Sequence, residues 1–410
     1  MLTKKSKSFK QLFSLFILLK NNGIVAALSY FLTITLANHL GPDLFGTYSH
    51  ALIVASIVSI FINFGTDQTA AILRSYYSNV GDVFNNIYFM RLVIALPVLV
   101  ILLFMYFDNL KLLMYVFCLM VANYNLAFMY EIKNRNEKYS YIYLIERMTY
   151  VGAAFLLIYF DLLELSYLFT LLFLVSIFSI SYQMFENAHV LHSYSKLRPR
   201  LLRQAVKESA PLVVVALSTF AYGGFSRLVL EGQLGQEQLG IYSAGWQLIT
   251  VGTIFQAQVI RLWRVPISDA VHALDVKGLF RTINSYLLLS TLPMIFMCCV
   301  FVFFSELIAA ILFTNSYAEV ANILPVFGVY LVIINIAGLV DMLWVALRRG
   351  AIYMMVNLIF GAVLIEFLWE CSSSMGMVEF ASATVVFHSL TILTLVMIWI
   401  RIFRFRLCGT

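Results

Sequence analysis

Long apolar segments recur along almost the whole chain, and they constrain its fold more than any other feature. We identify twelve of them, each about 20 residues long, which is the length of a helix that crosses roughly 30 Å of hydrocarbon. They lack the alternation of apolar and polar residues that transmembrane barrels show. Only 12% of the residues are charged, against about 25% in soluble proteins, so we exclude a soluble fold. The predicted spans are 14–38, 45–65, 86–106, 112–130, 141–160, 165–184, 210–231, 241–260, 284–305, 321–345, 350–369 and 379–400.

The distribution of Lys and Arg gives the orientation of these spans. If the N-terminus lies in the cytoplasm, 25 of the 27 basic residues fall on the cytoplasmic side, and only Lys111 and Arg227 fall on the outer side. This asymmetry is typical of membrane proteins and predicts that both termini are cytoplasmic. The net charge of +6 then anchors helices at a membrane surface and at lipid headgroups. We therefore expect membrane lipids as partners and no nucleic acid.

A ten-residue motif occurs twice and indicates an internal repeat. Leu40–Ser49 and Leu234–Ser243 both read L-G-x-acid-x-apolar-G-x-Y-S, and each lies between two apolar segments. Upstream of them, Val25–Phe31 matches Val214–Phe220. The chain is therefore predicted to contain two copies of one six-span module. We expect the glycines of the motif to form a tight turn between the first two helices of each copy.

The repeat and the charge pattern together predict the fold class. It is an all-α polytopic membrane protein, with twelve transmembrane helices in two six-helix lobes related by a pseudo-two-fold axis along the membrane normal. The predicted domains are an N-terminal lobe at 1–195, a basic cytoplasmic linker at 196–209 and a C-terminal lobe at 210–410. Val265–Thr282 mixes charged and apolar residues, and we expect a separate amphipathic helix at the membrane interface there.

The sequence contains none of the common catalytic or nucleotide-binding motifs. A P-loop, a GxSxG elbow, an HExxH helix and a dinucleotide fingerprint are all absent, which argues against an ATP-driven pump or a dehydrogenase. The five cysteines form no CxxC pair and no Cys/His cluster, so we expect no metal, no cofactor and no disulfide framework. The informative residues are then the polar groups inside the spans, which are costly there and usually face a cavity.

Four cations at or within the spans are candidates for binding an anionic substrate: Lys20, Arg91, Arg147 and Arg227. Arginine can hold a phosphate through two parallel hydrogen bonds. Each position also has a structural explanation, since Lys20 could extend to the interface and Arg227 could pair with Glu231 four residues later.

Small polar residues on the first helix of each copy are candidates for lining the same cavity. They are Asn22 and Ser29 in the first copy and Ser218 and Tyr222 in the second. Close packing of helices through small residues explains the pattern equally well.

Acidic residues in the second half are candidates for coupling transport to an ion gradient. A buried carboxyl group can take up a proton and so favour one conformation of a transporter. Alternatively, these groups are solvated at helix ends. The candidates are Asp341, Glu366 and Glu379, and His388 follows them in the sequence.

Several segments, in order along the chain, resemble the Wzx-type O-antigen flippases of the MOP exporter superfamily, which is MATE-like. The family often has an acid immediately before the arginine of the seventh helix, where this chain has Ser226. The segments are the duplicated motif, Phe64–Asp67 followed by Arg74, Arg227, Pro266–Ser268 and Leu312–Tyr317.

The resemblance implies a function. Such a protein would move undecaprenyl-diphosphate-linked oligosaccharide, for O-antigen of lipopolysaccharide, from the cytoplasmic to the periplasmic leaflet of a bacterial inner membrane. It would do so by alternating access with an ion gradient, beside an O-antigen polymerase and a chain-length regulator. The alternatives are a polymerase or lipid-linked-sugar glycosyltransferase, which would need large outer loops, and a multidrug exporter of the same superfamily, which would favour acids over bases in its cavity.

Overall fold

Helices make up almost all of the described chain, because an apolar segment in a bilayer must satisfy its backbone hydrogen bonds internally. The computed structural model describes residues 2–77, 79–124, 126–133, 135–188, 197–347, 349–371 and 374–408, and no strand occurs within these ranges. Ten of the helices in these ranges are long and apolar enough to cross a membrane. The all-α polytopic fold is therefore confirmed.

The twelve predicted spans all fall on helical segments, but several helices extend two turns or more beyond the predicted ends, as Val276–Phe303 and Met377–Cys408 do, and the span at 112–130 is divided between Leu110–Asn123 and Ala127–Ile132. One helix, Leu2–Asn63, contains the first two spans, because its backbone leaves the helical conformation only at Gly41 (φ 73°, ψ 171°). The span predicted at 241–260 forms the middle of a longer helix, Gln236–His272.

The chain divides into two compact units. Unit 1 comprises Met1–Leu32 and His50–Ala216, and unit 2 comprises Thr33–Ser49 and Leu217–Thr410. Helix α1 (Leu2–Asn63) therefore contributes to both units, as does α8 (Pro199–Phe220). The other helices of unit 1 are α2 (Thr66–Tyr76), α3 (Val80–Met105), α4 (Leu110–Asn123), α5 (Ala127–Ile132), α6 (Asn136–Tyr159) and α7 (Leu165–Glu186).

The segment predicted as a basic linker is helical from Pro199 onward and packs on unit 1. Leu201 and Ala205 are fully buried in the apolar core of that unit, beside Phe84 and Phe128. Arg198 forms an ion pair of 2.6 Å with the buried carboxylate of Asp82. Lys196 lies outside the described residues. The predicted domain boundaries stay a prediction, but these contacts show that the described linker residues are part of a folded unit.

Unit 2 is built around one helix, α13, which packs against α10, α11 and α15. The side chain of Asn335 in the middle of α13 donates to Thr291 (3.1 Å), and its backbone carbonyl accepts from Tyr286 (3.1 Å). The helices of this unit are α9 (Ser226–Leu234), α10 (Gln236–His272), α11 (Val276–Phe303), α12 (Ser305–Leu312), α13 (Val320–Leu347), α14 (Gly350–Cys371) and α15 (Met377–Cys408), with a π-helical segment at Ala221–Phe225 and a 3₁₀ turn at Asn315–Tyr317.

The two copies of the ten-residue motif meet within unit 2. Their first glycines make the turns, because Gly41 and Gly235 have φ of 73° and 90°, a region open mainly to glycine. Their second glycines are helical. The Gly46 Cα faces the backbone carbonyl of Gln236, and the Gly240 Cα faces that of Pro42. The expectation that all four glycines form turns is therefore wrong for Gly46 and Gly240, which instead allow two backbones to approach closely.

The segment between α12 and α13 packs on the first copy of the motif. The amide of Asn38 donates to the Leu312 carbonyl (2.8 Å) and accepts from the Thr314 amide (3.0 Å). The hydroxyl of Tyr317 is buried and donates to the Ala37 carbonyl (2.9 Å). These bonds explain why residues 33–49 belong to unit 2.

The separate interfacial helix predicted at Val265–Thr282 is wrong. Helix α10 continues to His272, and α11 begins at Val276, where the Asp275 carboxylate accepts from the Gly278 amide (2.9 Å). The two long helices join by a short turn. The amphipathic pattern there is a property of helix ends.

Candidate functional site

The four predicted cations are divided between the units. Lys20, Arg91 and Arg147 lie in unit 1, and Arg227 lies in unit 2. Lys20 is exposed, and Asn22 and Ser29 on the same helix are partly exposed.

Arg91 is fully enclosed in unit 1. Its Nε donates to the Thr66 hydroxyl (2.8 Å), and its guanidinium lies 4.6 Å from the centroid of the Phe128 ring and 5.9 Å from that of Tyr124. None of its surface is exposed. These contacts assign Arg91 a structural role in the core, between α2, α3 and the start of α5.

Arg147 lines a polar cavity of about 130 Å³ between α4, α6 and α7. Its guanidinium lies 5.2 Å from the centroid of the Tyr143 ring. Glu146 lines the same cavity and accepts a hydrogen bond from the Ser176 hydroxyl (3.4 Å). A carboxylate and a guanidinium thus lie side by side in this cavity.

Arg227 follows the π-helical segment at Ala221–Phe225, a distortion that is frequent at functional sites. Its Nε donates to the Gly223 carbonyl (2.5 Å), which the wide turn makes available, and its guanidinium lies 5.0 Å from the centroid of the Trp246 ring. Neither partner is Glu231, the acid considered above. Both partners are electrically neutral, so neither cancels the positive charge.

An aromatic cluster continues from Arg227 through unit 2. Trp246 lies 5.6 Å from Tyr330 between ring centroids, and the Tyr330 hydroxyl lies 3.1 Å from Nδ1 of His388. The His388 ring stacks on Tyr222 at 4.4 Å with an interplanar angle of 12°. This cluster joins residues of α10, α13, α15 and the π-helical segment, and it contains the predicted residue Tyr222.

The cluster borders a cavity of about 200 Å³ inside unit 2. Asp341 lines it and accepts a hydrogen bond of 2.5 Å from the Tyr353 hydroxyl. His388 and Thr391 of helix α15 line the cavity from another side. The Thr391 hydroxyl bonds to that of Tyr222 (2.7 Å). Of the three predicted coupling acids, Asp341 is the one that lines this cavity, together with His388 and Tyr353.

The other two acids are exposed. Glu379 lies in the first turn of α15, where a negative charge favours the helix N-terminus. Glu366 lines a mostly apolar groove of about 580 Å³ together with Ser218, Phe225 and Trp369. Ser218 is buried where α8 packs against Gly361 of α14. This position agrees with a role in helix packing.

The sequence analysis did not identify the partners of these residues. Trp246, Tyr330 and Glu146 were not selected as site residues, and His388 was only noted. One signal was present, since Tyr242 of the second motif and Trp246 lie four residues apart, on one helix face. Within the described ranges, no group of three or more His, Cys, Asp or Glu residues could hold a metal ion.

The model of one protein family matches most of the chain. It is described as polysaccharide biosynthesis protein, and it matches residues 13–268. Among curated proteins, none matches the chain by sequence.

Solved structures show the same fold. One is the inward-facing conformation of a multidrug resistance MATE family transporter of the MOP superfamily, with a TM-score of 0.70, 12% identity, and coverage of 93% of this chain and 94% of that chain. Another is a MOP superfamily transporter from Pyrococcus furiosus whose binding pocket has reversed polarity, suggesting a different function; the TM-score is 0.62 with 11% identity, and 95% of this chain and 94% of that chain are covered. A third is a MATE protein in complex with MaL6, with a TM-score of 0.62, 11% identity, and coverage of 97% and 96% of the two chains.

Proposed function

The chain belongs to the polysaccharide biosynthesis protein family, and from that premise we propose that it is a lipid-linked oligosaccharide flippase. It moves undecaprenyl-diphosphate-linked O-antigen or related repeat units from the cytoplasmic to the periplasmic leaflet of a bacterial inner membrane by alternating access. Both termini are cytoplasmic, and an O-antigen polymerase and a chain-length regulator act on the delivered units. The fold shared with MOP superfamily transporters supports this proposal.

The observation that carries the proposal is the state of Arg227. Its Nε is bonded to the Gly223 carbonyl, which leaves the terminal NH₂ groups available for a diphosphate. The guanidinium also lies 5.0 Å from the centroid of the Trp246 ring, and an aromatic neighbour of this kind stabilises the cation in place. A positive charge within a spanning segment is costly unless it has a function.

The other predicted polar residues take supporting roles in this proposal. Lys20 offers an exposed charge at the membrane surface to the incoming diphosphate. Asn22 and Ser29 contact the cargo along α1, whereas Ser218 and Tyr222 are buried in packing contacts of unit 2 and support the position of Arg227. Arg147 contacts the cargo from unit 1.

Coupling to an ion gradient is assigned to Asp341. Its carboxyl group lies in a cavity with His388 and the Tyr353 hydroxyl, groups that can exchange a proton with it. Glu366 and Glu379 lie in exposed positions and are weaker candidates for the same role.

The test is a deletion of the gene in its own bacterium. We expect undecaprenyl-linked oligosaccharide to accumulate on the cytoplasmic face, and the intact gene to clear it. R227A should restore clearance about ten- to a hundredfold less well, since a hydrogen-bonded charge contributes about 1.5–3 kcal/mol. R227K should recover only part of this, because a lysine cannot bind in a bidentate way.

The matched control is K111A, which removes the other outer cation from an exposed position and should clear the cargo normally. A deletion strain without accumulated cargo would contradict the proposal. Full clearance by R227A, expressed at the normal level, would contradict the role of Arg227.

A multidrug exporter is the second candidate, because a structure of the same fold is described as a multidrug resistance transporter. In that case the deletion strain would become sensitive to cationic drugs and would clear its oligosaccharide normally. A polymerase or glycosyltransferase is less favoured. The segment between α11 and α13, predicted as the longest outer loop, holds only a short helix and a 3₁₀ turn.

A further inference from the structure

The polar cavity of unit 1 contains buried groups that lack partners. Among the described residues, the Tyr124 hydroxyl, Nε of Arg147 and Oε1 of Gln183 are buried without a hydrogen bond, and all three residues line this cavity. Gln183 itself is only 3% exposed. Buried polar atoms are costly unless they are paired, so three unpaired atoms around one cavity indicate that a polar ligand or water completes them.

The three atoms differ in what they can bond. Nε of Arg147 donates, Oε1 of Gln183 accepts, and the Tyr124 hydroxyl does both. An ionised diphosphate diester offers only acceptors and a metal cation bonds only acceptors, so neither satisfies the whole set, and inorganic phosphate offers at most two O–H donors at the cost of a negative charge. A hydroxyl group donates and accepts, and several hydroxyls on one ring would satisfy all three.

The charges around the cavity point to the same chemistry. Glu146 and Arg147 are its charged lining residues, and their charges cancel. A phosphate would be repelled by Glu146, and a cation by Arg147. The cavity therefore favours a neutral ligand with many hydroxyl groups.

Stacked side chains form one wall of the cavity. Tyr139, Tyr143 and Arg147 follow one another at intervals of four along α6. The two rings stack with centroids 6.1 Å apart at 8°, and the guanidinium lies 5.2 Å from the Tyr143 centroid. This ladder holds Arg147 in one orientation before any ligand arrives, which reduces the entropy lost on binding.

The size fits one sugar ring. A single water occupies roughly 10–15 Å³ when the volume is counted as the space open to the centre of a water-sized sphere. A cavity of about 130 Å³ therefore has room for a ligand of roughly ten non-hydrogen atoms. The cavity also lies at the end of α4, near the start of α6 and near the end of α7. The predicted topology places these helix ends at the cytoplasmic side, where the cargo would enter.

We propose that this cavity is a saccharide subsite, in which Tyr124, Glu146, Arg147 and Gln183 bind one neutral sugar ring. The proposal rests on the proposed function, since it makes the ring part of the transported oligosaccharide and gives Arg147 a sugar hydroxyl as its ligand instead of the diphosphate. The Glu146 carboxylate and the Arg147 guanidinium bind neighbouring hydroxyls, and Tyr124 closes the site from α4.

The test uses the purified full-length protein and a panel of free monosaccharides, with inorganic phosphate as the charged comparison. We expect at least one neutral monosaccharide to raise the melting temperature in a saturable way and phosphate to leave it unchanged. Tyr124→Phe should abolish that shift without lowering the melting temperature of the free protein, because the hydroxyl has no partner in the chain. Tyr167→Phe, at an exposed tyrosine of the same unit, should keep it.

A second variant tests the charge argument. Glu146→Gln keeps the shape of the side chain and leaves the cavity with one net positive charge, so phosphate should then raise the melting temperature. The proposal is overturned if phosphate acts on the unmodified protein as strongly as any sugar. It is equally overturned if Tyr124→Phe keeps the sugar shift, because the shift is then the general stabilisation that sugars give as co-solvents.

The two proposals can fail separately. A sugar shift that depends on Tyr124, in a protein whose deletion causes no cargo to accumulate, keeps the subsite and removes the flippase function. Accumulation of cargo without any such shift keeps the flippase function and removes the subsite. Lipid-linked and free sugar are distinguished by repeating the titration with a lipid-linked monosaccharide, which should bind more tightly if the cargo is the natural source.

Discussion

The second glycine of each motif lies against the backbone of the other copy. A Cβ at Gly46 would collide with the Gln236 carbonyl, and a Cβ at Gly240 would collide with the Pro42 carbonyl. Because both obstacles are backbone atoms, no side-chain rotation can relieve the clash. We expect G46A and G240A each to destabilise the protein by about 1–3 kcal/mol, as overpacking does, measured by thermal unfolding in detergent.

The matched control is G232A. Gly232 lies in helix α9 of the same unit, and the space around its Cα is open, so alanine should be neutral or stabilise by up to about 1 kcal/mol. If G46A were as stable as G232A, the close approach of the two motifs would be wrong.

The sequence predicts a candidate site residue when the position of that residue deep within a span is itself unusual. Arg227 was selected because it is a cation within an apolar helix. Its partners were not predictable, because Trp246 and Gly223 reach it through the contact of α9 with α10 and through a π-helical turn. Helical periodicity identifies the polar side of a helix and carries no information about which neighbour that side faces.

The start of the segment between α12 and α13 is bonded to the side chain of Asn38. Asn38 bonds both the Leu312 carbonyl and the Thr314 amide, and burial raises the pKa of Tyr317 well above its usual range, so its hydroxyl remains a donor. Asn38→Ala would leave two backbone groups without these bonds, which costs about 1–3 kcal/mol for each group that stays dry. We expect faster proteolysis at residues 312–317, measured on intact cells or spheroplasts.

His39 provides the control, because its side chain is more exposed and bonds only within its own helix, to the Thr35 carbonyl (3.1 Å). His39→Ala should leave the proteolysis rate unchanged. Equal protection of the segment in both variants would show that Asn38 does not hold it.

At the level of elements, hydropathy predicted the helices and missed their interruptions. The span at 112–130 is two helices, α4 and α5, which are separated around Tyr124. Two asparagines, Asn123 and Asn125, mark this break in the sequence, but the 20-residue span averages over them, and the break lies beside the cavity of unit 1. The interfacial helix at Val265–Thr282 failed for a related reason, because helix α10 extends past the apolar part of its span and takes up the charged residues.

For the whole molecule, the sequence predicted the fold because three independent signals agreed. The lengths of the apolar segments, the asymmetry of Lys and Arg, and the duplicated motif all require the same twelve helices. The cavities had no such signal, since they arise where side chains of three or more helices fail to fill space. Ser176 and Gln183 looked like ordinary polar residues of α7 until the structure placed them around Glu146 and Arg147.

Coupling of transport to an ion gradient involves the whole transporter. We propose that the Asp341 carboxyl group is the site that binds and releases the coupled proton. In liposomes that hold the purified protein, transport of lipid-linked oligosaccharide should rise with an imposed pH gradient. One pH unit supplies about 1.36 kcal/mol per proton, so the rise should be at most about tenfold for each coupled proton. Asp341→Asn cannot bind and release this proton, so its transport should no longer respond to the gradient, while the cargo still binds.

Glu379→Gln separates this assignment from a general need for acidic residues, because Glu379 is exposed in the first turn of α15. That variant should respond to the gradient as the unmodified protein does.

Tyr353→Phe removes the hydroxyl that bonds to Asp341 at 2.5 Å and should change the pH at which transport is half-maximal while keeping the response. A gradient response that survives Asp341→Asn unchanged would remove Asp341 from the coupling mechanism. The site of ion binding would then have to be sought at Glu366 or in the cavity of unit 1, where Glu146 is the acid that lines an enclosed space.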